Sequence, residues 1–302
     1  MSSCGDALQD FSRPLTPSCG QEAVSALCEA YGLSNPVFGV DLIDKYMARL
    51  ANYLLAVHGI SGSGSPRFAF LLDAIKTLDP NFVPNYENRD EALKVFNPRH
   101  EILMLAVKQW VAKKLVFYRK DDLYSDTALF DLASFSFTPK DGGFIDVSST
   151  WVKNYIKHVT LRVSRGGKLV SIKRSLHKQV ASFVYAALLE ASILTCGDYS
   201  FDSVQTWVPR FIRPATGDSK QDLYHLSLHS FGLAFDVNPS RNKRGMAGDV
   251  ATLTGPLNLI PGNIIESWGF GWGARWGSVG DPGRDPMHFQ MYNPHHFLPV
   301  IV

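Results

Sequence analysis

The sequence has few cysteines, no long apolar run and little net charge. Its cysteines are Cys4, Cys19, Cys28 and Cys196, and because none forms a CxxC pair, a zinc site built from cysteines is not expected. No apolar run approaches the roughly 18 residues of a membrane span, so no such span is expected. A net charge of +2 is too small to indicate a nucleic-acid partner.

An export signal is also not recognisable at the start of the chain. The first residues, MSSCGDALQDFSRPL, contain no basic segment followed by an apolar run. We therefore expect synthesis in the cytoplasm, with cysteines that are reduced and mostly structural. Such a protein can act outside the membrane only if another factor releases it across the membrane.

The composition is that of an ordinary globular protein, and the length of 302 residues suits two domains or one extended domain. Apolar residues recur at steps of three and four over 22–31, 41–57, 67–78 and 98–118, which predicts helices. We assign residues 1–145 to a helical domain plus a connector. No motif in this part points to chemistry.

The second part, residues 146–302, mixes strand and helix patterns. Apolar and polar residues alternate over 158–175 around a Gly-Gly pair, which predicts a β-hairpin. One apolar stripe over 176–195 predicts a helix, and the chain from 205 onwards is rich in short strand-like segments and loops. The expected fold class is α+β.

Residues 227–239, SLHSFGLAFDVNP, place a histidine and an aspartate in an apolar run. In a strand that begins near Leu233, Ala234 and Asp236 share one face, and this face points into a pocket. Gly232 permits a positive φ, so the chain can turn and bring His229 over Asp236. Burying both groups costs free energy unless they are paired, and a zinc ion would satisfy both.

A third ligand is expected from the C-terminal stretch DPMHFQMY at 285–292. The stretch alternates as a strand, and His288 lies opposite a wholly apolar face. Three protein ligands with one open position are the pattern of catalytic zinc, whereas four ligands are typical of structural zinc. A satisfied core pair without metal is the simpler interpretation of His229 and Asp236, and the third histidine with a nearby carboxylate favours the metal.

Hydrolysis of a carbonyl substrate at a catalytic zinc site also needs a base and a cation for the developing oxyanion. Asp285 is the first candidate for the base, because Pro286 must bend the chain towards the site, and Asp281 and Glu266 are weaker candidates. Arg210 and Arg213 lie upstream of the metal motif, and an arginine can stabilise an oxyanion through its forked donors. 

Three tryptophans follow in the stretch SWGFGWGARWG, residues 267–277. The tryptophans, Trp268, Trp272 and Trp276, either line a substrate groove or pack on the sheet, and we select Trp272 as a candidate substrate contact. The surrounding glycines favour an exposed and irregular loop.

The motifs SxHxxGxAxD at 227–236 and DxxHFQ at 285–290 together resemble the D-alanyl-D-alanine carboxypeptidase family of zinc peptidases. The ending GFGWGARWGS...DPMHFQ is similar to that of VanY-like members and of phage endolysins that act as L-alanyl-D-glutamate peptidases. The segment DVNPSRNK is similar to another part of the family pattern. Ala274 stands where the family usually has Gly, and Lys243 where it has Pro.

The resemblance covers roughly residues 165–302. It implies one Zn²⁺ ion on His229, Asp236 and His288, with Asp285 as the general base. It further implies that an upstream arginine binds the substrate and the oxyanion, and Arg213 fits this place best. Ser227 belongs to the family motif and either hydrogen-bonds the substrate or orients His229.

The resemblance also implies a fold and a substrate. The fold is a small central antiparallel sheet flanked by helices, shared with hedgehog-type signalling domains. The substrate is a peptidoglycan stem peptide, cut by metal-activated water. We expect a phage-type endolysin or another cell-wall-lytic enzyme that reaches the wall through a holin or on a virion.

Several alternatives stay open on the sequence. The bond is either D-Ala-D-Ala, cut by a carboxypeptidase, or L-Ala-D-Glu or a crossbridge, cut by an endopeptidase. A non-catalytic zinc-binding recognition module of hedgehog-like fold is the alternative function. The N-terminal helical domain is a wall-binding module, a virion attachment piece or an oligomerisation unit, and the oligomeric state is open.

Overall fold

The computed structural model describes residues 19–58, 60, 64–116, 135–212 and 226–291, and for residues 113–116 it describes the backbone only. Helices dominate the first part of the chain and small antiparallel sheets the second, which confirms a mixed α+β architecture. The helices are α1 Gly20–Ala30, α2 Val40–Val57, α3 Pro66–Leu78, α4 Arg89–Val95, α5 Pro98–Val116, α6 Ser149–Tyr155, α7 Ala181–Leu194, α8 Asp249–Thr252 and α9 Pro261–Glu266. The strands are β1 Phe137–Pro139, β2 Ile145–Val147, β3 Ile156–Arg165, β4 Lys168–His177, β5 Val204–Gln205, β6 Ala234–Val237, β7 Gly271–Trp272 and β8 His288–Gln290.

The N-terminal helices confirm the periodicity argument. Helix α2 buries a continuous apolar stripe, and α3 starts at a Ser65 cap whose side chain accepts the backbone N–H of Phe68 at 3.1 Å. Helix α4 was not predicted. Its signal is nevertheless local, because the side chain of Asn88 caps it by accepting the N–H groups of Asp90 and Glu91.

The predicted hairpin is confirmed as β3 and β4, which pair antiparallel from Ile156↔His177 to Arg165↔Lys168. Gly166 and Gly167 form its turn with φ values of 56° and 72°, a conformation that glycine adopts without strain. Strand β4 extends to His177, so the helix expected from 176 begins later, at Ala181.

The C-terminal sheet has the order β5-β6-β8-β7 and is antiparallel throughout. On its apolar face, the ring of Phe289 stacks between those of Phe235 and Trp272, with centroid distances of 5.3 and 5.6 Å. On the other face, the register places Asp236 directly opposite His288. The pairing of β6 with β8 therefore joins two distant segments at the predicted ligands.

Two buried ion pairs join the N-terminal helices to the rest of the protein. Asp44 on α2 accepts hydrogen bonds from Arg162 on β3, at 2.6 Å, and from Tyr185 on α7. Lys108 on α5 lies 2.5 Å from Glu190 on α7. The buried apolar side chains of both parts form one contiguous core. The proposed division at residue 145 stays a prediction.

We expect the substitution Lys108→Met to lower the free energy of unfolding by roughly 3–5 kcal/mol, because it leaves the buried carboxylate of Glu190 without its cation. The indole N–H of Trp268, 2.9 Å from Glu190, would then be its remaining neutral donor. Urea denaturation measures the change, with Lys76→Met at an exposed position on α3 as the control. A loss below about 1 kcal/mol would contradict the prediction, and the double variant Lys108→Met/Glu190→Leu should recover stability.

The described helices include none that is long and apolar enough to cross a membrane.

The cysteines only partly match the expectation that they are reduced. Cys28 and Cys196 are free and buried, but Cys19 is disulfide-bonded, so the expectation of reduced cysteines is wrong at that position.

Candidate metal centre

A tight turn brings His229 to the start of β6. Ser227 caps the short 3₁₀ helix Leu228–Phe231, and its hydroxyl accepts the backbone N–H of His229 at 3.4 Å. Gly232 ends the helix in the left-handed conformation, with φ at 68°. This residue also packs closely, since a Cβ added to it would lie 2.6 Å from the backbone nitrogen of His177. The chain therefore forms the predicted turn, which places His229 next to Asp236.

Three ligand atoms converge on one point below this turn. His229 Nε2 lies 3.2 Å from Asp236 Oδ1 and 3.2 Å from His288 Nδ1, and His288 Nδ1 lies 3.0 Å from Asp236 Oδ1. All three residues are buried. Ligands at zinc–nitrogen distances of 2.0–2.1 Å in a tetrahedron are about 3.3 Å apart, so the triangle has the size that zinc requires.

The outer nitrogens of both histidines are already engaged. His229 Nδ1 lies 2.6 Å from the backbone oxygen of Thr206, which can only accept, so this nitrogen donates and leaves Nε2 as a bare acceptor. His288 Nε2 lies 3.0 Å from the side-chain oxygen of Gln290, which leaves Nδ1 facing inward. Three acceptors at such distances repel unless a proton or a metal ion lies between them. The donor set thus fits a metal ion, with outer partners that orient each imidazole.

The pKa values show the same demand for positive charge. Burial acts to raise the pKa of Asp236, but hydrogen bonds and charge from His229 and His288 overcome this effect and hold it far below its ordinary value. Burial acts to lower the pKa of His288, but the hydrogen bond and charge of Asp236 raise it. The carboxylate stays ionised and favours a cation beside it.

Asp285 lies next to this cluster on a bend, as predicted from Pro286. Its backbone N–H donates to Gly273 at 2.9 Å, and its carbonyl accepts the N–H of His288 at 3.0 Å. Within the described residues, its Oδ1 is buried without a hydrogen-bond partner, while Oδ2 lies 3.5 Å from Nε of Arg244. Burial raises the pKa of this carboxyl group. A buried and unsatisfied oxygen in this position is suited to accept a proton.

A pocket of about 580 Å³ contains the cluster. It is lined by Phe144, Gln205, Val208, Arg210, Ile212, Leu226, Ser227, Leu228, His229, Asp236, Pro239, Arg244, Trp276, Asp285, Met287, His288 and Gln290. Arg210, one of the two arginines upstream of the metal motif, therefore lines the pocket. Arg213 lies outside the described residues.

The expectation for Trp272 is wrong. This residue is buried in the sheet, and its indole N–H donates to the carbonyl of Pro286 at 2.9 Å. The pocket is lined instead by Trp276, whose ring centroid lies 5.3 Å from that of His288. The glycine-rich loop alone did not distinguish these tryptophans, because their orientation depends on how β7 pairs with β8.

Sequence reasoning also missed Arg244. Its loop is held by Asn242, a fully buried residue whose side chain donates to the carbonyl of Val237 and accepts the N–H of Val250. Gly245 is bonded on both sides to the chain near Asp285, through Arg284 and Gly280. A rigid loop therefore presents Arg244 at the rim of the pocket. Its position eight residues after Asp236 carries no local signal.

We expect the substitution Gly232→Ala to destabilise the protein more than Gly167→Ala. Both positions have positive φ and lose roughly 1–2 kcal/mol from the left-handed backbone. At Gly232 the new Cβ would also clash with the backbone of His177, whereas at Gly167 it would have no neighbouring atom within 4 Å. Denaturant unfolding of the two variants isolates the steric contribution. Equal losses would show that the close approach of the turn to His177 does not matter.

The comparison with protein families matches the same region. Residues 221–291 match the family model described as D-alanyl-D-alanine carboxypeptidase, which confirms the resemblance inferred from the motifs. The match covers well under half of the chain and includes the three clustered residues and Asp285. No curated protein and no solved structure gave a significant match.

Proposed function

We propose that the protein is a zinc-dependent peptidase that hydrolyses peptidoglycan stem peptides, because residues 221–291 match the family model described as D-alanyl-D-alanine carboxypeptidase. The observation that carries this proposal is the buried triangle of His229, Asp236 and His288 with the carboxylate of Asp285 beside it in an open pocket. A purely structural zinc site has four protein ligands.

The metal would be held by His229 Nε2, Asp236 Oδ1 and His288 Nδ1. When bound, zinc supplies a Lewis acid that polarises a carbonyl group and makes water acidic. The chain's own contribution is orientation. The backbone oxygen of Thr206 and the amide of Gln290 hold the two imidazoles, and Ser227 holds the turn that carries His229.

Asp285 would act as the general base and then as the general acid. Its carboxylate takes a proton from the attacking water, whose oxygen forms the new bond to the scissile carbonyl carbon. When the C–N bond breaks, the same carboxyl group returns that proton to the leaving amine. Burial raises the pKa of Asp285, and this brings the group closer to the range in which it both accepts and donates.

The arginines would bind the negative charge of the substrate and of the oxyanion. Arg210 and Arg244 both line the pocket, and either guanidinium can form paired hydrogen bonds with a carboxylate. Arg213 stays the first candidate for the oxyanion contact that the family pattern implies. Stem peptides carry free carboxylates near several of their bonds, so two cations in the pocket suit this substrate.

Finer parts of the proposal follow from the family and the fold. We propose a phage-type endolysin that acts on the cell wall after release by a holin or on a virion. We propose the hedgehog-type arrangement for residues 146–302, since a small antiparallel sheet carries two of the ligands. Residues 1–145 would be an accessory helical part, and its role is a wall-binding, attachment or oligomerisation function.

Mass spectrometry of digested cell walls tests the activity and the bond together. We expect new amino groups and defined muropeptide fragments, and we expect EDTA to abolish both. Loss of a terminal D-Ala would indicate a carboxypeptidase, whereas a free L-Ala or an opened crossbridge would indicate an endopeptidase. Full zinc occupancy without cleavage of any wall preparation would favour the recognition module instead.

A further inference from the structure

Positive charge is concentrated in residues 147–189, which include helix α6, the β3–β4 hairpin and most of α7. This stretch contains no Asp or Glu and eight Lys or Arg residues, namely Lys153, Lys157, Arg162, Arg165, Lys168, Lys173, Arg174 and Lys178. The whole chain has a net charge of +2, so the remainder carries 2 − 8 = −6. An uneven distribution of this size indicates a surface for an anionic partner.

Most of this charge is not neutralised. Residues 147–189 are all described, and among the described residues only Arg162 in this stretch has a carboxylate partner, Asp44. Arg165 and Arg174 donate to backbone carbonyls, which leaves their charge intact. The Lys178 ammonium lies over the ring of Tyr155 at 4.7 Å.

Five lysines therefore present charge to solvent, and together they define the basic hairpin surface. They are Lys153, Lys157, Lys168, Lys173 and Lys178, and all five are exposed. Strands of ten residues span about 33 Å, and the register places Lys157 and Lys168 on one face of the hairpin and Lys173 on the other, so the charge lines both faces of a ridge. Thr160 and Ser171 are exposed on the same face as Lys173 and add hydroxyl groups.

The basic hairpin surface is polar, and this argues against a lipid bilayer or nucleic-acid bases as its partner. None of the exposed large apolar side chains of the described residues lies in 147–189, so there is nothing here to insert into a bilayer. Trp151 is buried and Tyr155 is covered by Lys178, so exposed aromatic rings for stacking on bases are absent from this stretch. Flexible lysines suit phosphate groups spaced along an irregular polymer.

The hairpin is also joined to the metal centre. The backbone N–H of His177, at the end of β4, donates to the carbonyl of Gly232, and the N–H of Trp207 donates to the carbonyl of Ser175. Gln205 and Val208, which flank Trp207, line the pocket. A polymer bound along the hairpin would therefore lie beside the pocket.

We propose that the basic hairpin surface binds a phosphodiester-containing polyanion of the cell wall and so keeps the pocket close to its substrate. The proposal rests on the proposed function for the identity of the polymer. The binding itself needs neither metal nor catalysis. It is electrostatic, so it weakens as salt rises.

Co-sedimentation of the full chain with purified Gram-positive cell walls in EDTA tests the proposal. The triple variant Lys157→Gln/Lys168→Gln/Lys173→Gln should bind about tenfold more weakly or worse, because each lysine removed loses an attraction to the anionic surface. The control, Lys76→Gln/Arg89→Gln/Arg99→Gln, changes the net charge equally on exposed helix positions and should bind like the parent. The triple replacement by Arg should also retain binding.

Hydrofluoric acid, which removes phosphodiester polymers from the walls, should reduce binding of the parent protein to the level of the Lys→Gln variant. Unchanged binding of that variant overturns the proposal, and so does an equal loss in the control. Binding to anionic phospholipid vesicles or to duplex DNA, but not to walls, overturns the choice of polymer. All variants should hydrolyse a short soluble muropeptide at the same rate. If the parent protein does not hydrolyse this muropeptide, the proposed function is overturned, but the binding result is unaffected.

Discussion

The substitution His229→Ala is expected to abolish zinc binding and to lower peptide hydrolysis by roughly three orders of magnitude or more. A metal Lewis acid contributes several kcal/mol to transition-state stabilisation, and each 1.4 kcal/mol corresponds to about a tenfold change in rate. His229 contributes one corner of the ligand triangle, and its imidazole is already oriented by the carbonyl of Thr206. Without it, Asp236 and His288 offer only two ligands.

Zinc content after dialysis and the release of amino groups from cell walls measure the two effects. The matched control is His158→Ala, which removes an exposed histidine of β3 far in sequence from the ligands. The control should retain both zinc and activity. Hydrolysis that persists in the His229 variant would refute the zinc mechanism, because no other described cluster of His, Cys, Asp or Glu can hold a metal.

The substitution Asp285→Asn should give the second largest effect, and of a different kind. We expect kcat to fall by about 10²–10⁴, with zinc content and KM close to those of the parent. Asparagine has the same shape but cannot accept the proton from water. The buried Oδ1, without a hydrogen-bond partner within the described residues, is the atom whose basicity is lost.

Steady-state kinetics on a soluble muropeptide, paired with zinc analysis, separates this effect from loss of the metal. Asp281→Asn is the control, since Asp281 is exposed, does not line the pocket, and accepts the N–H of Gly283 through an oxygen that asparagine retains. Loss of zinc from the Asp285 variant would identify this residue as a ligand instead. Full activity would place the base elsewhere.

The sequence by itself determined the elements whose cause is local. The three- and four-residue periodicity predicted four N-terminal helices, and alternation around a Gly-Gly pair predicted the hairpin. The turn at Gly232 was predictable because a positive φ is a property of one residue. The three metal-ligating residues could also be predicted from the sequence, because polar side chains in apolar strands need a partner.

Tertiary structure decided the features that depend on contacts between distant segments. The pairing of β6 with β8 sets the ligand distances, and the pairing of β7 with β8 buries Trp272 and leaves Trp276 to line the pocket. Arg244 reaches the site because Asn242 and Gly245 are bonded to remote parts of the chain. The same reason applies to the N-terminal helices, which are joined to α7 by the contacts Lys108–Glu190 and Asp44–Tyr185 and by the shared apolar core, none of which leaves a local pattern in the sequence. A residue's neighbours in space follow from packing and register, and short sequence windows contain neither.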